Sequence, residues 1–342
     1  MKVSELGEFG LIHIIQSSTA RYQNPAQSPW REVLVGIGDD AAAWHSDDHT
    51  LLATTDTLVQ DIHFDLEVIS WEELGWKALA VSLSDIAAMG GVPRYALLSL
   101  TLPGELEVDH ISRFADAMMR LAGDFGVAVI GGNVAAAPNV VITVTVVGCS
   151  RGRGILRRST ACPGHQVAVT GYLGLSAGGL EVLKGKTIAD PEISSSLRLA
   201  HLQPRPKIEE GQILAEKGVK TAIDISDGLV ADLDHICESS RVNARIHIDR
   251  LPLHPLLTAH FPNSRELALS GGEDYELLFT ADKATVADAR QALDCPVTVI
   301  GDIRGEESAT RVTVVDSRGN AIPCRRGGWE HFRNGIAEAK FR

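Results

Sequence analysis

Strand-length apolar runs and helical patterns alternate along this chain, and that alternation restricts it to folds in which helices cover β-sheets. In the first half, residues 33–37, 50–55, 95–102, 127–130 and 140–148 read as strands, with helical spacing over 7–16, 71–89 and 111–125. Beyond a Gly/Arg-rich break, Ser150-Arg151-Gly152-Arg153-Gly154, strands at 166–170, 221–225, 244–248, 275–279 and 297–300 alternate with further helices. The break sets a boundary near residue 150 and so two domains, 1–150 and 151–342. A chain of 342 residues agrees with that, since a domain takes roughly 150. The polar stretch 186–196, close to the turn Pro204-Arg205-Pro206, reads as an exposed excursion.

Charge then narrows the partners. Lys and Arg number 32 against 44 Asp and Glu, a net charge of −12, so attraction to nucleic acid or to an anionic membrane is unfavourable over most of the surface. A phosphorylated ligand must be met locally, by metal ions or a few placed cations. The five cysteines, Cys149, Cys162, Cys237, Cys295 and Cys324, are far apart and form no C-x-x-C pair, which predicts reduced thiols in the cytoplasm. No apolar run is long enough for a membrane span, and the N-terminus lacks an export signal.

The helix over 71–89 carries a core stripe of Trp76, Leu79, Leu83 and Ile86, and its opposite face, with Ala78, Ala80, Val81 and Ala88, is small and apolar too. Asp85 inside such a helix must face a cation, a donor or a wet cleft, because a carboxylate in a core does not stay ionised unaided. Other acids recur beside small residues near the ends of apolar runs: Gly36-Ile37-Gly38-Asp39-Asp40-Ala41, Thr54-Thr55-Asp56-Thr57, Asp224-Ile225-Ser226-Asp227-Gly228 and Gly271-Gly272-Glu273-Asp274. Any one alone is explained by a turn or a helix cap. Five together suit two or more Mg²⁺ ions, since each takes only about one or two carboxylates beside water and phosphate oxygens. Two metals are what a reaction between two anions requires. The stretch from Gly179 to Thr187 misses a phosphate-binding P-loop by one residue of spacing and follows a helical pattern instead of a strand, so it is not one. His63, just past the second acidic motif, fits the same site or a local hydrogen bond; Trp329 fits a stacking contact or a tail anchor.

These stretches, with Lys77-Ala78-Leu79-Ala80-Val81, Leu83-Ser84-Asp85-Ile86-Ala87-Ala88-Met89-Gly90 and Ser270-Gly271-Gly272-Glu273-Asp274-Tyr275-Glu276-Leu277, resemble the thiamine-monophosphate kinases, over nearly the whole chain. Their superfamily includes aminoimidazole ribonucleotide synthetase and selenophosphate synthetase. The resemblance implies a two-domain PurM-like fold: an N-terminal α/β domain that binds ATP and Mg²⁺ and dimerises through its strands, and a C-terminal α+β domain that completes the cleft. It implies ATP-dependent phosphorylation of thiamine monophosphate by direct in-line transfer, with no catalytic nucleophile. By position Asp40, Thr55, Asp56, Asp85, Asp224 and Asp227 resemble metal ligands. Gly131, Gly132, Arg158 and Ser226 resemble ATP contacts, and His63, Glu273 and Trp329 resemble substrate contacts. Asn133 stands where the family usually has a metal-binding Asp, a neutral amide that still offers Mg²⁺ a carbonyl oxygen. That departure leaves a non-catalytic ATP-binding paralogue open as an alternative, beside another ATP-using enzyme of the same superfamily. Other enzymes of the superfamily are set apart by their reactive N-terminal cysteine region or their cysteine-terminated tail, neither of which this sequence has.

Overall fold

A computed structural model describes residues 30–46, 49–151, 154–306, 308 and 310–323. The chain divides into two compact units; the first ends at Ser82 and resumes over Val92–Gly152, and the second comprises Leu83–Gly91 and Arg153–Gly328.

The first unit is built on a six-stranded sheet of β1 (Val33–Val35), β2 (Ala42–Ser46), β3 (His49–Val59), β4 (Val92–Leu102), β5 (Ala128–Ala136) and β6 (Val141–Cys149), in the order β1-β2-β3-β6-β4-β5. Only β4 and β5 pair in parallel, as strands joined by a crossover helix must. Helices α1 (Trp71–Ala88) and α2 (Val108–Asp124) supply its apolar cover, with Leu74, Ala78, Leu79, Phe114, Met118 and Leu121 fully buried. Ile142, Val144 and Val146 of β6 and Ala96 and Leu100 of β4 are buried likewise, and the α1 hydroxyl of Ser82 donates to the Val144 carbonyl at 3.2 Å. The opposite face of the sheet is open. Tyr95 and Leu97 are 50% and 42% exposed there, beside the hydroxyl pairs Thr55–Thr145 and Thr57–Thr143, each 2.9 Å apart.

The second unit holds β7 (Gln166–Thr170), β8 (Thr221–Asp224), β9 (Asn243–His247), β10 (Leu277–Ala281), β11 (Val297–Arg304) and β12 (Val312–Val315), ordered β12-β9-β11-β7-β10-β8. All its pairings are antiparallel except β12 with β9. Its helices are α3 (Leu175–Leu183), α4 (Pro191–Leu202), α5 (Ile208–Glu216), α6 (Leu229–Ser240), α7 (Pro255–His260), α8 (Ser264–Ser270) and α9 (Lys283–Ala292). Val167, Val169, Ile223, Leu233, Ile236, Leu278 and Ile300 form its main core, and Leu197, Leu257 and Phe261 a smaller one under α4 and α7.

Several expectations are corrected. The polar stretch 186–196 holds no buried residue, in keeping with an exposed excursion, but it folds into the start of α4, because Asp190 caps that helix by accepting from the Glu192 and Ile193 amides and Pro191 opens its first turn. The strand expected over 127–130 runs on to Ala136, so Gly131 and Gly132 lie inside β5 and not in a turn. A Cβ at Gly132 would overlap the Leu98 carbonyl oxygen, which gives that glycine a packing reason of its own. Strand β6 lies in the middle of its sheet, so the surface it leaves open is a face and not an edge. Strands β2 and β12 were not expected, being short and polar or isolated among turn residues. The helix over 7–16 and Trp329 fall outside the described residues. Among the described residues Cys149, Cys162, Cys237 and Cys295 are free thiols, as expected.

Candidate active site

In the first unit, Asp40 is buried just before β2, and Asp56 lies on β3. Since Ala42 pairs with Ala53, the two acids belong to the same end of the β2–β3 pair. Strand alternation sends Thr55 and Asp56 to opposite faces, so one ion cannot take both side chains. Thr55 is on the open face, where its hydroxyl meets Val144 O and Thr145. Asn133, paired in register with Ser99, shares that open face and not the face of Asp56. His63 accepts the Val59 amide proton on Nδ1 at 3.0 Å, which fixes its ring one turn beyond β3.

In the second unit, β8 ends on Asp224, and the turn that follows carries Ser226 and Asp227. Asp224 is 2% exposed and accepts the Ser84 hydroxyl on Oδ2 at 2.6 Å. Carboxylate oxygens of Asp224 and Asp85 come within 4.8 Å of one another. Two carboxylates at that spacing repel each other and are suited to a shared hard cation. Asp227, Asp232 and His235 form a second such group, with ligand atoms within 4.8 Å. Asp232 does a structural task in it: its Oδ2 accepts the Asp227 and Gly228 amide protons at 3.2 and 3.0 Å and so ties the turn to α6. Burial raises the Asp232 carboxyl well above its ordinary value, and the charges of Asp227 and Asp224 push it the same way, against Arg158 and the Gly228 amide. Arg158, in the 3-10 turn Arg158–Thr160, is therefore close enough to act as a local cation, and Ser240 pins that turn by donating to the Arg158 carbonyl at 2.7 Å.

The segment from Gly271 to Glu276 runs against this turn. Glu273 N–H donates to Ser226 O at 2.8 Å and Tyr275 N–H to Ile225 O at 2.9 Å. A Cβ at Gly272 would overlap the Ser226 carbonyl, so the approach requires glycine. Glu273 and Tyr275 both adopt positive φ, 64° and 50°, a conformation that non-glycine residues keep only where surroundings enforce it. Asp274 between them accepts the Gly174 and Ser176 amide protons at 2.6 and 3.0 Å. Loss of hydration pushes its carboxyl up to about 7, despite those two bonds. Glu276 accepts the Thr170 hydroxyl at 2.6 Å and pairs with Lys207 at 3.0 Å.

The structure thus brings Asp85, Asp224, Ser226, Asp227, Arg158 and Glu273 into one unit, and Asp40, Thr55, Asp56, His63, Gly131, Gly132 and Asn133 into the other. His201 and Asp232 were missed, while Ser84 and Asp274 stood inside the quoted motifs without a role of their own. The signal for Asp232 was present, an acid three residues after Leu229 on the apolar face of a helix, as for Asp85. His201 was not singled out because its partners Ser176 and Glu273 are distant in sequence.

Residues 38–150 match the family model of the AIR synthase related protein N-terminal domain, and residues 162–313 that of its C-terminal domain. The fold and the acids therefore define an AIR synthase related protein. The thiamine-monophosphate kinase of Bacillus subtilis is 37% identical over 96% of this chain and 100% of its own length, and that of Escherichia coli K12 is 39% identical over 88% and 91%. A solved structure described as AaThiL complexed with AMPPCP and TMP superposes with a TM-score of 0.83 at 36% identity, covering 97% of this chain and 99% of that one. The chain belongs to the thiamine-monophosphate kinase family.

Proposed function

We propose that the protein phosphorylates thiamine monophosphate with ATP, giving thiamine diphosphate and ADP. The observation that carries this is the match to thiamine-monophosphate kinases over 96% of this chain and 100% of the relative, in a chain whose Asp85 and Asp224 bring carboxylate oxygens within 4.8 Å of one another, a pair suited to Mg²⁺. An oxygen of the substrate phosphate attacks the γ-phosphorus in line, the bond from that phosphorus to the β-bridging oxygen breaks, and ADP departs. Mg²⁺, when bound, neutralises the charge of the two anionic partners.

The chain's own residues position the reactants. Asp85, Asp224 and Asp227 would hold Mg²⁺ in the second unit, and Asp40 and Asp56 in the first. Thr55 and Asn133 enter as neutral oxygen donors on the sheet's open face. Arg158 offers the nucleotide a planar guanidinium and Ser226 a hydroxyl, while Gly131 and Gly132 keep β5 free of side chains. Glu273 and His63 present a carboxylate and an imidazole to the thiamine moiety, and Trp329 a ring. Residues 1–150 and 151–342 are the two domains of this reading. Its setting is a cytoplasmic homodimer formed through the open face of the first sheet, on which Tyr95 and Leu97 lie. No described helix is long and apolar enough to cross a membrane.

Purified protein supplied with ATP, Mg²⁺ and thiamine monophosphate should form ADP and thiamine diphosphate in equal amounts. Asn133 favours the second reading, a non-catalytic ATP-binding paralogue. Nucleotide binding without thiamine diphosphate would establish that reading and sink the first.

A further inference from the structure

Glu273 has a side-chain environment that its proposed role as a substrate contact does not explain. Its Oε2 lies 3.3 Å from Nδ1 of His201, a residue of α4 that is only 2% exposed. The same Nδ1 lies 3.0 Å from the Ser176 hydroxyl oxygen. Ser176, in the first turn of α3, donates its backbone N–H to Asp274 Oδ1 at 3.0 Å, and Asp274 follows Glu273 in the chain. The four residues close a polar ring that joins α3, α4 and the segment after α8. With its proton on Nδ1, the imidazole faces both the Glu273 and Ser176 oxygens. The ring lies where the backbone is most constrained, with Glu273 and Tyr275 at positive φ on either side of Asp274.

A surface glutamate in a regular turn has many rotamers of similar energy. Here the backbone is held by Asp274 on the α3 amides, and the carboxylate is drawn to one side by a buried imidazole that cannot move with solvent. We propose that Ser176, His201 and Asp274 are positioning residues that set the Glu273 carboxylate for thiamine monophosphate, so that substrate affinity depends on a ring of residues that do not touch the substrate. The inference rests on the proposed function and on Glu273 as the contact. Thiamine monophosphate carries a cationic thiazolium, which a fixed carboxylate suits; ATP shares an aminopyrimidine with it, in adenine, but has no cationic ring for the carboxylate to recognise. Loosening the ring therefore affects one substrate and not the other.

The test is steady-state kinetics on the full-length protein with each substrate varied in turn. His201→Ala should raise KM for thiamine monophosphate about tenfold while kcat and KM for MgATP stay within about twofold. His201→Asn, whose amide N–H can stand near the position of Nδ1, should recover most of the affinity. Asp274→Asn supplies an independent opening of the ring and should raise the same KM if His201→Ala does not fold. Glu273→Ala is the reference, and combining it with His201→Ala should add little, because both remove one interaction. Equal rises in both KM values, an unchanged KM in a folded His201→Ala or Asp274→Asn protein, or additive effects in the double variant would overturn the inference. If Glu273→Ala leaves KM unchanged, the contact assignment has failed; if the unmodified protein forms no thiamine diphosphate, the proposed function has.

Discussion

Asp224 shows how a single residue can be both buried and useful to a cation. Asp224 is 2% exposed, the Ser84 hydroxyl donates to one of its oxygens at 2.6 Å, and an Asp85 carboxylate oxygen within 4.8 Å adds a repulsion that a shared cation would relieve. Asp85→Asn and Asp227→Asn should each abolish turnover with little change in melting temperature, since the shape is kept and only charge is lost. The loss should exceed the ~10–100-fold that changes to outer partners of a metal site cost. Near-normal activity at low Mg²⁺ in either variant would return that acid to the role of cap or buried structural group. Ser84→Ala is the complementary change. It should weaken Mn²⁺ binding to the protein by about 10–100-fold, the range for a lost outer partner, read by titration without nucleotide. Unaltered Mn²⁺ affinity would show that Ser84 serves packing alone.

At the scale of elements, α4 tests how local signals build the second unit. Asp190→Ala removes the side chain that accepts the Glu192 and Ile193 amides, which costs about 1 kcal/mol for a lost N-cap. In a domain of this size that lowers the melting temperature by about 2–4 °C. A thermal scan with no shift would mean that the Leu197 packing alone holds the helix. The Asp274 loop carries a pH signature. Asp274 ionises near 3.8 when unfolded and at about 7 when folded, so between those values the folded state holds more protons. Its contribution to stability is full below the unfolded value and is lost as the pH rises through about 7. Asp274→Asn cannot ionise, so in chelator its stability relative to the unmodified protein should rise from pH 4 to pH 8. A difference independent of pH would place the carboxyl near its ordinary value.

The same elements show what the sequence made legible. Strand-length apolar runs marked β6 and β4, and the apolar surround of Asp85 flagged an acid in need of a cation, a donor or a wet cleft before any contact was known. Strand alternation also carries a limit: Thr55 and Asp56 are neighbours in the sequence and belong to opposite faces, a distinction that a list of motif residues does not make. His201 was out of reach for another reason. Its partners Ser176 and Glu273 are distant in sequence. The Gly132 contact with Leu98 likewise depends on which strand pairs with β5, and that is set by long-range order in the sheet.

For the whole molecule, the open face of the first sheet is the feature that most requires a partner. Antiparallel sheets tolerate one solvated face when its residues are polar, and the threonine pairs Thr55–Thr145 and Thr57–Thr143 follow that rule. Tyr95 and Leu97, on the neighbouring β4, do not, and both are substantially exposed. An apolar patch flanked by polar residues on an otherwise acidic protein is the pattern of an interface, and a self-complementary one closes by a two-fold axis. Leu97→Asp should then convert a dimer at micromolar concentration into a monomer in sedimentation velocity, because a carboxylate buried at an interface without a partner is strongly unfavourable. The fold of the separate chain should survive, since Leu97 contributes to the open face and not to the side where Ala96 and Leu100 are buried. An unmodified protein that sediments as a monomer, or a Leu97→Asp dimer as tight as the parent, would remove this face as the contact. In the second case the edge strand β5, exposed along nearly all its length, becomes the next surface to test.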